Sequence, residues 1–277
     1  MIINNRYQLT NEISRGAFGI IYRGKDKKTA EIVAIKIELP GSLSSLKYEV
    51  KILTYLKTNK IKYVPDIYWY GICHEKIPGL IMTYYQYSLY DYCMKTPLDS
   101  YKSVIQDWIH QILEIIETFH KVFLLHRDIK PQNIMLKNGR IYFIDFGLSA
   151  FYIGEDREHI PDYPIESNKN SLENRIIGSP KFASIFLYQG HRASRRDDLV
   201  STVYVYAFLL LGGQTPWYNP DHSITEQNKH KDTCMTILSG LHTETVDWSR
   251  FQYFIDYCYQ LSYEDTPDYD SLKRMFS

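Results

Sequence analysis

Residues 126–133 read HRDIKPQN and place a carboxylate, an amine and an amide close together in the chain. These groups belong to Asp128, Lys130 and Asn133, and Pro131 restricts the backbone between them. Apolar residues stand on both sides of the stretch, so we expect both ends of this charged loop to be anchored in a core. Such a loop is a common place for catalytic chemistry, although a charged, solvated surface loop is the simpler alternative.

A second carboxylate, Asp145, ends a predicted β segment at residues 141–144 and precedes Phe146 and Gly147. An aspartate at this place can serve only as a turn residue. A carboxylate and an amide oxygen that face one cleft can instead bind Mg²⁺, which prefers hard oxygen ligands. Asp145 and Asn133 are therefore candidate magnesium ligands.

Lys36 stands inside an apolar strand pattern, VAIKIE, at residues 33–38. An alternating strand can direct a lone lysine harmlessly to solvent, and that is the simpler interpretation. A lysine that points into a cleft needs an acidic partner. Glu49 lies on the predicted helix that follows and is the candidate, unless it is only a surface glutamate.

Two glycines, Gly16 and Gly19, separate two strand-like segments in the stretch ISRGAFGIIYRG. Glycine permits turns and a close approach of the backbone to a phosphate group. The spacing alone is a weak signal, because hairpin turns often contain two glycines.

The elements that must position these groups form two regions. The first eighty or so residues contain β-rich segments, with one helical pattern in SSLKYEVKILTYLK. After Ser88 the patterns are mainly helical, and residues 101–121 are predicted to form a long amphipathic helix. The sequence therefore predicts an α+β protein with a small strand-rich lobe, a larger helical lobe and a cleft between them.

The glycine loop, Lys36, Glu49, HRDIKPQN and Asp145-Phe-Gly follow one another in the order of the protein kinase signature set. The chain resembles eukaryotic protein kinases over nearly its whole length, and the casein kinase 1 family in particular. The stretch SRRDDL at residues 194–199 carries that finer resemblance, and HIP at 159–161 and TPW at 215–217 agree with it. The resemblance implies a bilobal protein kinase fold in one domain, 1–277, with an N-lobe of about 1–85 and a C-lobe of about 86–277.

The resemblance also implies that the chain is a Ser/Thr kinase that transfers the γ-phosphate of ATP, with Mg²⁺, to protein substrates. Asp128 would accept the proton of the substrate hydroxyl, and Lys130 would neutralise the transferred group. The implied catalytic residues are Asp128, Lys130, Asn133, Lys36 and Glu49. The implied nucleotide-binding residues are Ile13, Ser14, Gly16, Gly19, Ile21, Ala34, Lys36, Met82, Tyr85, Met135 and Asp145. The implied metal ligands are Asn133 and Asp145.

The sequence departs from the family pattern at several positions. Ser14 replaces the first glycine of the loop, and Phe186 stands where the family has asparagine. Residues 163–171 are inserted or rearranged where the family has a phosphate-binding arginine, and Lys229 and Lys231 lie near its second anion-binding position. These positions therefore do not predict whether the chain recognises already phosphorylated (primed) substrates.

Composition excludes several other classes. The 277 residues carry zero net charge, which gives no argument for nucleic acid or an anionic membrane as partner. The four cysteines show no zinc-binding spacing, and free thiols indicate an intracellular location, in cytoplasm or nucleus. No secretory signal is visible at the start, and the apolar run 199–211 predicts a buried core helix. We expect a monomer that binds ATP and protein substrates.

Charge suggests acidic or primed substrates. Between residues 167 and 196 one acid, Glu173, stands among six basic residues: Lys169, Arg175, Lys181, Arg192, Arg195 and Arg196. They form either a basic patch beside the substrate or a solvated face with internal pairs.

Three other functions fit parts of the pattern: a pseudokinase, a kinase of the tau-tubulin or vaccinia-related branch, and a small-molecule phosphotransferase. The complete set of catalytic residues and the segment after Gly178 disfavour them.

Overall fold

A computed structural model of the chain describes residues 1–16, 19–39, 46–74, 77–162, 177–218 and 248–277. These residues divide into two compact units. The first unit contains Met1–Tyr87 and Met135–Leu148, and the second contains Ser88–Ile134 and Ser149–Ser277.

The first unit is built on a six-stranded antiparallel sheet with the strand order β1-β2-β3-β4-β6-β5. Its strands are β1 Ile2–Ile3, β2 Tyr7–Gly16, β3 Gly19–Asp26, β4 Ile32–Glu38, β5 Ile67–His74 and β6 Ile77–Thr83. β-Branched and aromatic residues fill these strands, as expected for a half-buried pleated surface. The core contains Ile3, Tyr7, Val33, Ile35 and Ile81, all nearly inaccessible to solvent.

One helix, α1 (Leu46–Thr58), packs against β5 and β6 of the same unit. Glu49 in its first turn and Lys57 in its last turn complement the helix dipole. The buried face contains Glu49 together with Ile52, Leu53 and Leu56, because residues three, four and seven positions apart share a helix face. The helix therefore carries a carboxylate into the core.

The chain then passes through β7 (Tyr87–Ser88) into the second unit. The helices of this unit are α2 Leu89–Lys95, α3 Ile105–Lys121, α4 Ile185–Tyr188, α5 Arg195–Leu210, α6 Trp248–Gln260 and α7 Tyr269–Met275. Short 3-10 turns lie at Leu98–Ser100, Lys102–Val104 and Pro131–Asn133. Strands β8 (Leu124–Leu125) and β11 (Ala150–Phe151) pair within the unit, and β9 (Ile134–Lys137) and β10 (Arg140–Phe143) follow the 3-10 turn.

Helix α5 is the centre of the second unit, and it packs against α3 and α6. Every residue from Arg195 to Leu209 is buried, which is typical of a helix surrounded by protein on all sides. Its start is fixed by a capping box in which Ser194 and Asp197 satisfy each other's backbone amides. The prediction of a buried helix from the apolar run 199–211 is confirmed.

The α+β class is confirmed, with strands concentrated in the N-terminal part and helices in the C-terminal part. No helix within the described ranges has both the length and the apolar character that crossing a membrane requires.

Candidate functional site

Asp128, Lys130 and Asn133 are brought together in the second unit by direct contacts. The Nζ of Lys130 lies 2.6 Å from Oδ2 of Asp128. The side-chain amide of Asn133 donates to the same oxygen at 2.8 Å and to the backbone carbonyl of Asp128 at 2.9 Å. Asp128 and Asn133 are each only 5% exposed. These contacts fix the direction of the Asp128 carboxylate.

Ser179 completes this cluster, and it was not identified from the sequence. Its backbone N–H donates to Oδ1 of Asp128 at 2.9 Å, and its hydroxyl accepts from Lys130 Nζ at 2.9 Å. Gly178 precedes it at φ +97°, where an added Cβ would lie 2.5 Å from the carbonyl oxygen of Arg127. The Gly-Ser-Pro composition of residues 178–180 predicts a turn, but nothing in the spacing indicates a contact with residues 49 positions earlier.

The backbone of the loop at residues 126–133, the predicted catalytic loop, is held by Asp198 of α5. Oδ2 accepts from the N–H of His126 at 2.8 Å, and Oδ1 accepts from the N–H of Arg127 at 2.9 Å. Nε2 of the buried His120 lies 3.0 Å from Oδ2. Burial opposes the ionised form of Asp198, but the hydrogen bond from His120 and the other donors outweigh it and lower the pKa.

Arg127 adopts a left-handed backbone conformation with φ +68°. This conformation costs about 1–2 kcal/mol for a residue with a Cβ. The bond from its amide to Asp198 holds the loop in that shape, so α5 acts directly on the geometry beside Asp128.

Lys36, Glu49 and Asp145 lie together in the first unit. Nζ of Lys36 lies 2.7 Å from Oε2 of Glu49 and 2.8 Å from Oδ1 of Asp145. Burial disfavours the charged amine, but the attraction of the two carboxylates prevails and raises the pKa of Lys36. Burial also raises the pKa of the Glu49 carboxyl, so its ionised form depends on the lysine. The first unit thus contains an ammonium group that two carboxylates hold in place.

The predicted nucleotide-binding residues of the first unit are distributed over its sheet. Ser14 is the register partner of Ile21, and Ala34 is the partner of Met82 on the adjacent strand. Gly16 and Gly19 face each other across the end of the β2–β3 hairpin. The other predicted positions lie in β2, after β6 and in β9; they are Ile13, Tyr85 and Met135.

Gly19 packs directly against β4. An added Cβ would lie only 2.5 Å from the carbonyl oxygen of Ile37, so a larger residue would push the start of β3 away from β4. Ser14 is an exposed residue of β2 and is not among the residues with positive φ. A Cβ is therefore accommodated there without backbone strain, and the substitution of the first glycine does not distort this hairpin.

The family model described as protein kinase domain matches residues 7–274. This chain belongs to the protein kinase domain family. The family supports phosphoryl transfer to proteins and implies ATP as a substrate of this kinase.

The side chains predicted to bind Mg²⁺ in this kinase supply oxygen atoms of the hard type that this ion prefers. The two hydrogen bonds of Asn133 use its NH₂ group and leave the amide oxygen outside those bonds. Asp145 is a carboxylate whose side chain is 29% exposed and whose φ is +67°. The described residues contain no cluster of three or more His, Cys, Asp or Glu suited to a metal. Each of the two side chains, taken by itself, therefore offers an oxygen of the kind that Mg²⁺ binds.

The prediction that Arg195 and Arg196 belong to a basic surface patch is wrong. Both side chains are buried in the second unit of the kinase, at 9% and 7% exposure. The Arg196 guanidinium lies 3.6 Å from the ring centroid of Phe186, the residue that departs from the family pattern. Lys181 and Arg192 are exposed, whereas Lys169 and Arg175 lie outside the described residues, as do 163–171, Lys229 and Lys231.

Proposed function

We propose that the chain is a Ser/Thr protein kinase similar to the casein kinase 1 family, in one domain that spans residues 1–277. It transfers the γ-phosphate of ATP to serine or threonine hydroxyls, with Mg²⁺ as cofactor. The observation that carries this proposal is the cluster of Asp128, Lys130 and Ser179, whose hydrogen bonds of 2.6–2.9 Å orient one carboxylate and one ammonium group together.

Transfer of a phosphoryl group requires orientation and charge stabilisation more than covalent help from the protein. The substrate hydroxyl oxygen forms a bond to the γ-phosphorus while the bond from that phosphorus to the β,γ-bridging oxygen breaks, and ADP leaves. Asp128 orients the hydroxyl and accepts its proton. Lys130 stabilises the negative charge on the transferred group. A lysine two residues after the catalytic aspartate supports a Ser/Thr rather than a Tyr substrate, by resemblance to kinases of that class.

Lys36 holds the α- and β-phosphates of ATP, and Glu49 keeps its ammonium group in place. Ile13, Ile21 and Ala34 contact one face of adenine, and Met135 contacts the other. Asn133 and Asp145 hold Mg²⁺, which supplies charge neutralisation on the phosphate oxygens when it is bound. The close contact of Lys36 with Asp145 requires the ammonium group to be shared between this carboxylate and the nucleotide.

Exposed basic residues of the second unit support a preference for acidic substrates. Lys181 and Arg192 are the exposed members of the basic stretch, and they favour an acidic or phosphorylated substrate segment. The finer resemblance to casein kinase 1 rests on the sequence stretch SRRDDL.

The test incubates the purified chain with labelled ATP, Mg²⁺ and casein, beside an Asp128→Asn variant. We expect wild-type transfer on serine or threonine and a loss of at least about 1000-fold in the variant. Peptides that differ only in Ser, Thr or Tyr as acceptor establish the residue specificity. Nucleotide binding without transfer in the wild type would show a pseudokinase instead. Equal transfer by both proteins would refute the role of Asp128.

Acidic, primed and neutral versions of one serine peptide test the substrate class. We expect the neutral peptide to show the highest KM. Equal kcat/KM for the three peptides contradicts the preference and leaves the Ser/Thr assignment intact.

A further inference from the structure

A cavity with a volume of about 310 Å³ lies in the second unit. Its walls come from the end of α3, the start of α5 and the residues before and at the start of α7. Phe123, Tyr152 and Tyr269 give it aromatic surfaces, and Phe123 is 49% exposed at the rim. The volume is about twice that of a cavity that binds benzene. The cavity can therefore hold an aromatic ring with a substituent.

Arg195 also lines the cavity, and its guanidinium is a buried cation whose described hydrogen-bond partners are neutral. Its NH1 donates to the hydroxyl of Tyr152 at 3.3 Å, its NH2 donates to the backbone carbonyl of Glu264, and its carbon lies 4.6 Å from the centroid of the Tyr152 ring. Nε has no hydrogen-bond partner among the described residues, and no carboxylate of those residues forms an ion pair with this arginine. A buried charge without a counter-ion is costly, so an anion brought to this place gains attraction from it.

The acidic residues of the cavity already have partners. The Glu117 carboxylate lies 2.5 Å from Lys121 Nζ and 2.6 Å from Lys273 Nζ. Asp268 accepts from the backbone and hydroxyl of Ser271 at 3.0 and 2.7 Å. Burial opposes the ionised form of Glu117, but its lysine partners prevail and lower the pKa. The Ser271 bonds lower the pKa of Asp268. Both groups therefore stay ionised at neutral pH.

These ionised carboxylates, together with Asp270, limit the charge of a ligand. A dianion such as a phosphate monoester would meet Arg195, the already paired Lys121 and several negative groups. A monoanion needs only the arginine.

We propose that this cavity is a binding site for a small aromatic monocarboxylate. The ring of the ligand packs among Phe123, Tyr152 and Tyr269, and its carboxylate faces Arg195. Binding at this site is separate from the binding of nucleotide and protein substrate.

The experiment observes 4-fluorophenylacetate by ¹⁹F NMR while the full chain is titrated in, with Mg²⁺ and saturating ADP present. We expect saturable binding with Kd on the order of 1 mM, as for a ligand of this size. The neutral 4-fluorophenylacetamide should bind about 10-fold more weakly, because it lacks the charge that pairs with Arg195. Equal binding of acid and amide, or binding of the acid that is seen only when ADP is left out, would overturn the proposal.

Three variants locate the site. Arg195→Gln removes the cation, and Thr266→Trp fills the cavity from an exposed position at its rim. Each should weaken binding of the acid by about 10-fold or more. Arg140→Gln removes an exposed arginine of the first unit and should leave Kd unchanged. Thermal denaturation checks that each variant is folded, and the Thr266 variant keeps the test decisive if the Arg195 variant is not. Undiminished binding in a folded Thr266→Trp protein would exclude this cavity.

Discussion

Replacing Asp198 by asparagine should loosen the catalytic loop and destabilise the second unit. Both carboxylate oxygens accept hydrogen bonds: Oδ2 from the His126 amide at 2.8 Å and His120 Nε2 at 3.0 Å, and Oδ1 from the Arg127 amide at 2.9 Å. Asparagine offers only one acceptor oxygen. In either orientation, its NH₂ group therefore faces a backbone N–H that the carboxylate formerly accepted.

The loss of stability follows from the number of hydrogen bonds that asparagine cannot accept. At least one hydrogen bond to a charged acceptor is lost, worth about 1.5–3 kcal/mol, and a buried N–H is left unsatisfied, at about 1–3 kcal/mol. The hydrogen bonds that persist are then made to a neutral amide oxygen instead of a carboxylate. We expect the free energy of unfolding to fall by about 2.5–6 kcal/mol, a large share of the roughly 5–15 kcal/mol typical of a folded protein. The melting temperature should fall by roughly 2–4 °C for each kcal/mol lost.

Catalysis should suffer separately, because Arg127 needs its amide bond to hold φ at +68°. Misplacement of a catalytic group by about 1 Å can reduce a rate about 100-fold, so we expect kcat to fall by about 10- to 100-fold while the KM for ATP changes little. The assays are thermal denaturation and steady-state kinetics below the melting temperature of the variant.

The matched control is Asp256→Asn on α6. This exposed carboxylate accepts only from Gln252 among the contacts described, at 2.9 Å, so stability and kcat should stay near wild type. If Asp198→Asn changes kcat and melting temperature no more than Asp256→Asn does, the role assigned to Asp198 is refuted.

Three further outcomes are expected. Ser179→Ala should lower kcat by about 10-fold, measured in the same assay, because Lys130 loses one partner while the backbone amide still orients the aspartate; an unchanged kcat contradicts this. Lys36→Met should abolish transfer and destabilise the first unit by about 3–5 kcal/mol in urea unfolding, and adding Glu49→Leu should restore stability but not activity. Asp26, whose pKa its arginine partner lowers, stabilises the fold above the unfolded pKa of about 4 and loses this effect as pH falls below it. Asp26→Asn should therefore be less stable than wild type at pH 7, and the difference should shrink as pH falls from about 4 toward 2; an equal melting temperature at pH 7 contradicts the prediction.

The parts of the fold and site that follow local periodicity could be predicted from the sequence. Strand alternation and helix spacing gave the α+β class, and the apolar run 199–211 gave a buried helix. The same spacing places Glu49 on the inner face of α1, three, four and seven positions before Ile52, Leu53 and Leu56. A glutamate at such a position needs a buried cation, and Lys36 is one, 13 residues earlier.

Contacts between residues far apart in the sequence could not be predicted from local periodicity. Ser179 meets Lys130 across 49 residues. This serine shows no local pattern that differs from that of an ordinary turn residue. Only the fold decides which small polar residue reaches the loop, because one turn can direct a hydroxyl either to solvent or to the site.

Arg195 and Arg196 show why charge counted along the chain did not predict surface charge. A guanidinium is planar and weakly hydrated, so an aromatic face and backbone carbonyl groups can accommodate it in a core. Arg196 lies over Phe186, and Arg195 lies over Tyr152, both aromatic residues of the same unit. An ammonium group is held less well by such neutral surroundings, since it is a compact and strongly hydrated charge. Arg195→Lys and Arg196→Lys keep the charge count of the sequence, yet each removes the flat group that makes burial of that charge tolerable.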